Sequence, residues 1–100
     1  SIELNDKQFS EIGDKTLDLF VKEGQFSIMK KGDLLSWDNK NDSVDGVVER
    51  IVSYKNLEEA LKSKLVKDNI KDFTKEYPTK YSKLKKTKKS IVAIKFKIIE

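Results

Sequence analysis

The sequence contains no cysteine and no histidine, and these two absences exclude several classes of function. Without cysteine, the chain forms neither a disulfide framework nor a zinc site with thiolate ligands. Without histidine, it lacks the usual general base near neutral pH and the commonest metal ligand. Catalysis by a serine–histidine or cysteine–histidine pair is therefore excluded, and we expect neither a metal nor a cofactor.

Long apolar runs are absent as well. The longest run, residues 91–94, has the length of a strand and falls far short of the roughly 20 residues that span a bilayer. Residues 1–15 lack the apolar segment of a signal peptide. We therefore expect an intracellular, cytoplasmic protein with no membrane partner. A chain of 100 residues predicts a single domain over residues 1–100, which we expect to be a monomer.

Charge is distributed unevenly along the chain. Residues 1–50 contain seven Lys/Arg and eleven Asp/Glu residues, a net charge of −4, whereas residues 51–100 contain fourteen and six, a net charge of +8. The run 79–90 contains Lys80, Lys83, Lys85, Lys86, Lys88 and Lys89. We interpret this run as a mobile basic loop that follows a nucleic-acid backbone. The alternative is a solubilising connection to the last strand.

Hydrophobic periodicity predicts a small domain of mixed structure. The predicted strands cover residues 2–4, 15–22, 34–38, 44–54 and 91–99. The predicted helices cover residues 6–12, 57–64 and 70–77, and Pro78 ends the last of them. Because the connections between the middle strands are short, antiparallel pairing is favoured. The expected fold class is α+β: a small, curled, mostly antiparallel β-barrel with two to three flanking helices.

The strand at 15–22 has an unusual second face. Aliphatic side chains alternate along its first face, and its second face carries Thr16, Asp18, Phe20 and Lys22. An exposed phenylalanine is a poor choice for a solvated face. The strand therefore has either two packed faces or one packed face and one face that lines a cleft.

Ordered sequence segments resemble the ASCH domain family. Gly13-Asp14-Lys15, followed five residues later by Phe20, matches the family signature G-x-K-x-x-x-x-R in all but its last position. Successive segments that also resemble the family are LNDKQFSEI, KTLDL, MKKGDLLSW, VVERIVSYKNLEEAL, FTKEYP and SIVAIKFKII. The similarity covers nearly the whole chain, and ASCH domains belong to the PUA-like superfamily of small β-barrels.

The resemblance implies a cleft beside the barrel that receives RNA or a nucleotide, lined by the lysine and arginine of the signature. Lys15 occupies the lysine position, and Phe20 stands at the arginine position. One branch of the family removes an acyl group from a modified cytidine with that lysine, a threonine and a distant glutamate. Asp18 stands at the threonine position. The candidates for the distant acid are Glu58, Glu59 and Asp68.

Outside the lysine run, five more residues are candidates for contacts with nucleic acid. We expect Lys15 to meet a phosphate or base edge, with Thr16 as a hydrogen-bond donor and Asp18 as an acceptor for a base amino group. Phe20 either stacks on a base or fills the space of the missing arginine. Arg50, which we place on one face with Val48 and Tyr54, either replaces that arginine from a neighbouring strand or forms an ion pair. For Lys15 and Asp18 the structural alternative is an ion pair between them.

Three functions remain open. The first is a module that binds RNA or another single-stranded nucleic acid through the Lys15 cleft and the lysines of 80–89. The second is a small amidohydrolase that acts on an acylated cytidine-type substrate, with Lys15 and Asp18 as catalytic groups. The third is a protein-interaction domain with a degenerate cleft. We favour the first. Phe20 and Asp18 depart from the pattern of the hydrolase branch, which disfavours the second, and the lysine run favours the first over the third.

Overall fold

The computed structural model describes residues 2–3, 16–40 and 42–99 of the chain. Five strands lie in one sheet: β1 (Ile2–Glu3), β2 (Leu17–Val21), β3 (Leu34–Asp38), β4 (Ser43–Tyr54) and β5 (Ile91–Ile99). Four short α-helices follow β4: α1 (Leu57–Lys62), α2 (Lys64–Asn69), α3 (Phe73–Glu76) and α4 (Pro78–Lys85). A single turn of 3₁₀ helix, Gly24–Ser27, lies between β2 and β3.

The strands follow the order β1-β3-β4-β5-β2 across the sheet. β1 pairs with β3 in parallel, and the other three pairs are antiparallel. The sheet curls into a half-barrel beside the helices, so the predicted α+β class and mostly antiparallel pairing are confirmed. The described ranges contain four α-helices rather than the predicted two to three. None of these helices is long and apolar enough to cross a membrane.

The first half of β5, residues 91–94, is apolar and buried on both faces of the sheet. The helix face packs against α1–α4 and includes Leu17, Leu19, Ile91 and Ala93. The opposite side, the barrel face, includes Phe20, Trp37, Val92, Ile94 and Phe96. Each large apolar side chain that is fully buried contributes about 1.5–3 kcal/mol, so β5 is the main stabilising element of the sheet.

Most predicted strands agree with the structure. The predicted segments 34–38 and 91–99 coincide with β3 and β5, and β4 begins one residue before the predicted segment 44–54. The predicted segments 2–4 and 15–22 contain β1 and β2. The helix predicted at 6–12 lies outside the described residues.

The predicted helix 57–64 is interrupted at Ser63. Its start agrees with the prediction, since Asn56 accepts a hydrogen bond from the Glu59 amide at 2.9 Å. Ser63 has an extended conformation, and its hydroxyl oxygen accepts a hydrogen bond from the Val66 amide at 3.3 Å. This serine therefore ends α1 and caps α2.

Two predictions around Pro78 are wrong. The segment 70–77 is not one helix, because the Asp72 carboxylate caps the short helix α3 by accepting a hydrogen bond from the Lys75 amide at 3.2 Å. Pro78 begins α4 rather than ending the preceding helix. A first helical residue needs no amide hydrogen, so proline is tolerated there. Residues 79–85 of the predicted mobile loop therefore belong to α4, whereas residues 86–90 form the connection from α4 to β5.

Candidate nucleic-acid interface

Two of the predicted site residues form an ion pair. Asp18 on β2 and Lys80 on α4 are 62 residues apart, and the Lys80 Nζ atom lies 2.7 Å from Asp18 Oδ1. The side chains are 5% and 27% exposed, respectively. The same carboxylate oxygen accepts a hydrogen bond from the Leu19 amide at 2.8 Å. Asp18 is the buried charged residue of the described part of the chain, and it ties α4 to the sheet.

The Phe20 ring is packed within the protein. It stacks on Phe26 with 4.1 Å between ring centroids and an angle of 7° between the planes. The Lys80 ammonium lies 4.1 Å from the centroid of the Phe20 ring, a distance typical of a cation–π contact. Only 7% of Phe20 is exposed. Of the two alternatives for β2, the structure therefore shows two packed faces. Leu17 and Leu19 are buried on the helix face, and Asp18 and Phe20 are buried on the opposite face, where Phe20 fills space.

The start of the strand is attached to α2. The Thr16 hydroxyl donates a hydrogen bond to Asn69 Oδ1 at 3.2 Å, and the Asn69 amide group donates to the Leu65 carbonyl at 2.8 Å. Thr16 remains exposed. Lys15, the predicted central residue of the cleft, lies outside the described residues. The structure therefore leaves the Lys15 prediction open and gives Thr16 a partner within the protein.

The candidates for the distant acid lie on α1 and α2. Glu58 pairs with Lys62 at 3.0 Å within α1. Glu59 accepts a hydrogen bond from the Lys55 amide at 3.2 Å, and this contact supports the start of α1. These two acids have local structural roles. Among the described residues there is no group of three or more carboxylates placed to hold a metal ion.

The six predicted lysines of the run 79–90 fall into two groups. Lys80 pairs with Asp18, and Lys89 pairs with Glu23 at 2.6 Å. We call the other four the α4 lysine cluster: Lys83, Lys85, Lys86 and Lys88. All four are exposed, and they form no ion pair with any carboxylate of the described ranges. The Lys85 ammonium lies 5.7 Å from the centroid of the Tyr81 ring.

A β-bulge in β4 determines which face Arg50 occupies. Val48 pairs with Phe96 and Arg50 pairs with Lys95, so Glu49 is an extra residue between them. The bulge leaves Val48 on the barrel face and turns Arg50 to the helix face, where it lines a cleft with α2. The prediction that Arg50 and Val48 share a face is therefore wrong.

Arg50 does not take the place of the missing signature arginine. Phe20 lies on the barrel face of β2, whereas Arg50 lies on the helix face of β4. The two strands are also separated by β5. Arg50 belongs to a different surface from the one that the family signature predicts.

That surface is an open cleft of about 590 Å³ between the sheet and α2. Its charged and aromatic lining consists of Arg50, Tyr54, Lys64, Asp68 and Lys95. Lys64 approaches Asp68 at 3.8 Å, whereas Arg50 and Lys95 form no ion pair with carboxylates of the described ranges. Sequence reasoning found Arg50 and missed Lys95, because their juxtaposition depends on the pairing of β4 with β5.

Solved structures share this fold, among them two that cover nearly the whole of this chain. A crystal structure of hypothetical protein PH0355 has a TM-score of 0.70 and 18% sequence identity, over 98% of this chain and 96% of that chain. A solution NMR structure of protein PF0455 from Pyrococcus furiosus has a TM-score of 0.53 and 18% identity, over 99% of this chain and 96% of that chain. At this identity the likeness shows the fold alone. No protein-family model matches the chain, and no curated protein matches it, so the ASCH resemblance stays a prediction.

Proposed function

We propose that this protein is a nucleic-acid-binding module that holds single-stranded RNA through its backbone phosphates. The observation that carries the proposal is the α4 lysine cluster. Its four exposed ammonium groups lie within six residues of sequence at the end of α4 and in the turn that follows, and no described carboxylate neutralises them. A compact group of cations of this kind attracts a polyanion and displaces its counterions.

The number of lysines in the run without a carboxylate partner among the described residues determines the expected salt dependence of RNA binding. Lys80 and Lys89 are engaged with Asp18 and Glu23, so four lysines rather than six are available for phosphates. For single strands, the slope of log K against log salt concentration is about −0.7 per phosphate neutralised. Four contacts therefore correspond to a slope of about −3, and six would give about −4.

The resemblance to ASCH domains supports the same proposal, because clefts in that family receive RNA or nucleotides. The two signature positions on the barrel face make contacts within the protein, where the family pattern would place ligand contacts. Phe20 packs against Phe26, and Asp18 pairs with Lys80. No specific observation on the described residues favours the hydrolase or the protein-interaction hypothesis. The proposal therefore depends on the basic surface rather than on the signature cleft.

The test is a titration of a short fluorescent single-stranded RNA, followed by anisotropy at several salt concentrations. In the test variant, glutamine replaces each lysine of the α4 lysine cluster. In a control variant with the same net charge, glutamine replaces four exposed lysines elsewhere: Lys30, Lys31, Lys40 and Lys55. We expect the test variant to lose binding and the control to keep it. Equal affinity of the two variants would contradict the proposal.

A further inference from the structure

The cleft between the helix face and α2 contains an unusual pair of cations. Arg50 and Lys95 are directly opposite each other on the neighbouring strands β4 and β5. Like charges at directly opposite positions of a sheet destabilise it. The β-bulge next to Arg50 causes this pairing. Without the extra residue Glu49, the register of β4 against β5 would be shifted by one residue and Arg50 would not lie opposite Lys95.

Among the described residues, none forms an ion pair with Lys95 that would compensate this repulsion. Lys95 is half-buried on the helix face, where its other cross-strand neighbour is the buried, apolar Leu17. The carboxylate of Asp68 also lines the cleft, but it lies 3.8 Å from the Lys64 ammonium. The lining residues that the structure describes include three cations and one carboxylate, which gives them a net charge of +2.

We propose that this cleft binds the terminal phosphomonoester of a ligand of nucleotide size, with the phosphate between Arg50 and Lys95. A phosphomonoester carries a charge of about −1.5 to −2 at neutral pH, which matches the charge of the cleft. The guanidinium of Arg50 suits the oxygens of a phosphate, and Lys95 adds a point charge. A phosphate bound between Arg50 and Lys95 would neutralise their charges and form a favourable contact with each of them.

The dimensions of the cleft and its aromatic lining agree with this class of ligand. Small-molecule sites have volumes of about 300–1,000 Å³, and this cleft has about 590 Å³. Tyr54 lines the same cleft and offers a ring against which a planar group packs. The site lies on the opposite sheet face from Asp18 and Phe20, and it shares no residue with the α4 lysine cluster. It therefore stands or fails independently of the proposed RNA binding.

The experiment compares ligands that differ in their phosphate. The probes are AMP, adenosine, 3′,5′-cyclic AMP, and one oligonucleotide with either a 5′-phosphate or a 5′-hydroxyl. Amide chemical shifts of the intact chain locate the binding. AMP should shift residues 50, 54 and 95 saturably, cyclic AMP should bind more weakly because it has one charge less, and adenosine should leave these residues unchanged. Equal effects of AMP and adenosine, or shifts confined to residues 83–88, would overturn the proposal.

Two substitutions test the pair of cations. Lys95→Met keeps the apolar part of the side chain and should weaken AMP binding by about tenfold or more. Arg50→Gln, at an exposed position, should have a similar effect. The matched control is Lys97→Met, two residues along β5 and outside the cleft lining, and it should change the affinity less than twofold. Unchanged AMP affinity in both cleft variants would refute the site.

The oligonucleotides distinguish two sources of the phosphate. A preference for the 5′-phosphorylated oligonucleotide that Lys95→Met abolishes identifies the end of an RNA chain. Saturable AMP binding without such a preference identifies a free nucleotide, and either result supports the phosphomonoester site. Binding of the 5′-hydroxyl oligonucleotide tests the α4 lysine cluster instead, so the two proposals fail separately.

Discussion

Replacing Lys80 with methionine should destabilise the fold, because the Lys80 ammonium contacts the buried Asp18 carboxylate at 2.7 Å. Methionine keeps an unbranched apolar chain of similar length, so the substitution mainly removes the charge. The Asp18 side chain is only 5% exposed, so hydration by solvent would compensate little for the loss of the Lys80 ammonium. It retains the hydrogen bond from the Leu19 amide at 2.8 Å.

The magnitude follows from the burial of the two partners. Removing one partner of a buried ion pair costs about 3–5 kcal/mol. Lys80 is 27% exposed, which places the expected cost near the lower end, at about 3 kcal/mol. The contact with the Phe20 ring, at 4.1 Å, adds about 0.5–1 kcal/mol to the loss. A surface pair such as Lys89–Glu23 would cost at most about 1 kcal/mol.

Urea unfolding measures this difference directly. Trp37 is the single tryptophan of the sequence and is 1% exposed, so its fluorescence reports on the core. The matched control is Lys89→Met, whose partner Glu23 is 55% exposed at its side chain. A double-mutant cycle with Asp18→Asn isolates the interaction between Asp18 and Lys80. A loss below about 1 kcal/mol in Lys80→Met, or additive effects in the cycle, would refute the reasoning.

Three further substitutions have defined outcomes. Phe20→Arg restores the family signature but should lower the free energy of unfolding by at least about 3 kcal/mol, because it places a second cation beside Lys80 in a packed site. Unchanged stability in urea would contradict this. Gly46→Ala should cost about 1–3 kcal/mol, since a new Cβ would lie 2.9 Å from the Trp37 ring, and an unchanged unfolding midpoint would contradict that close approach. Pro78→Ala should change stability by less than about 1 kcal/mol, measured by thermal unfolding, because Pro78 begins α4; a larger loss would show a different role.

The strands were predictable because their signal is local. The local hydrophobic pattern was enough to predict the bounds of β3 and β5 without any knowledge of neighbouring strands. The helical segment was less predictable, because serine and aspartate favour caps but also occur inside helices, so Ser63 and Asp72 do not by themselves mark a helix boundary. Pro78 is equally ambiguous, since proline ends one helix and begins another with the same fixed backbone angle.

The sites could be predicted only in part, because they combine residues that are distant in the sequence. Asp18 and Lys80 were both candidates, but their contact depends on how α4 packs beside β2. Lys95 could not be recognised beside Arg50 before the register of β4 and β5 was known, and the bulge shifts that register by one residue. A pattern of alternation contains no information about such a shift.

The distribution of charges separates cations that stabilise the fold from cations that are available to a ligand. Lys80 and Lys89 each approach a carboxylate within 2.7 Å, so the first of them stabilises a buried group and the second links two exposed segments. Arg50, Lys95 and the α4 lysine cluster have no such partner among the described residues, and Arg50 and Lys95 oppose each other at a cost to the sheet. Stability is commonly given up at binding sites, so a destabilising pair of cations in an open cleft is consistent with a binding role. The cations without carboxylate partners, rather than the family signature, are therefore where anionic ligands should be sought.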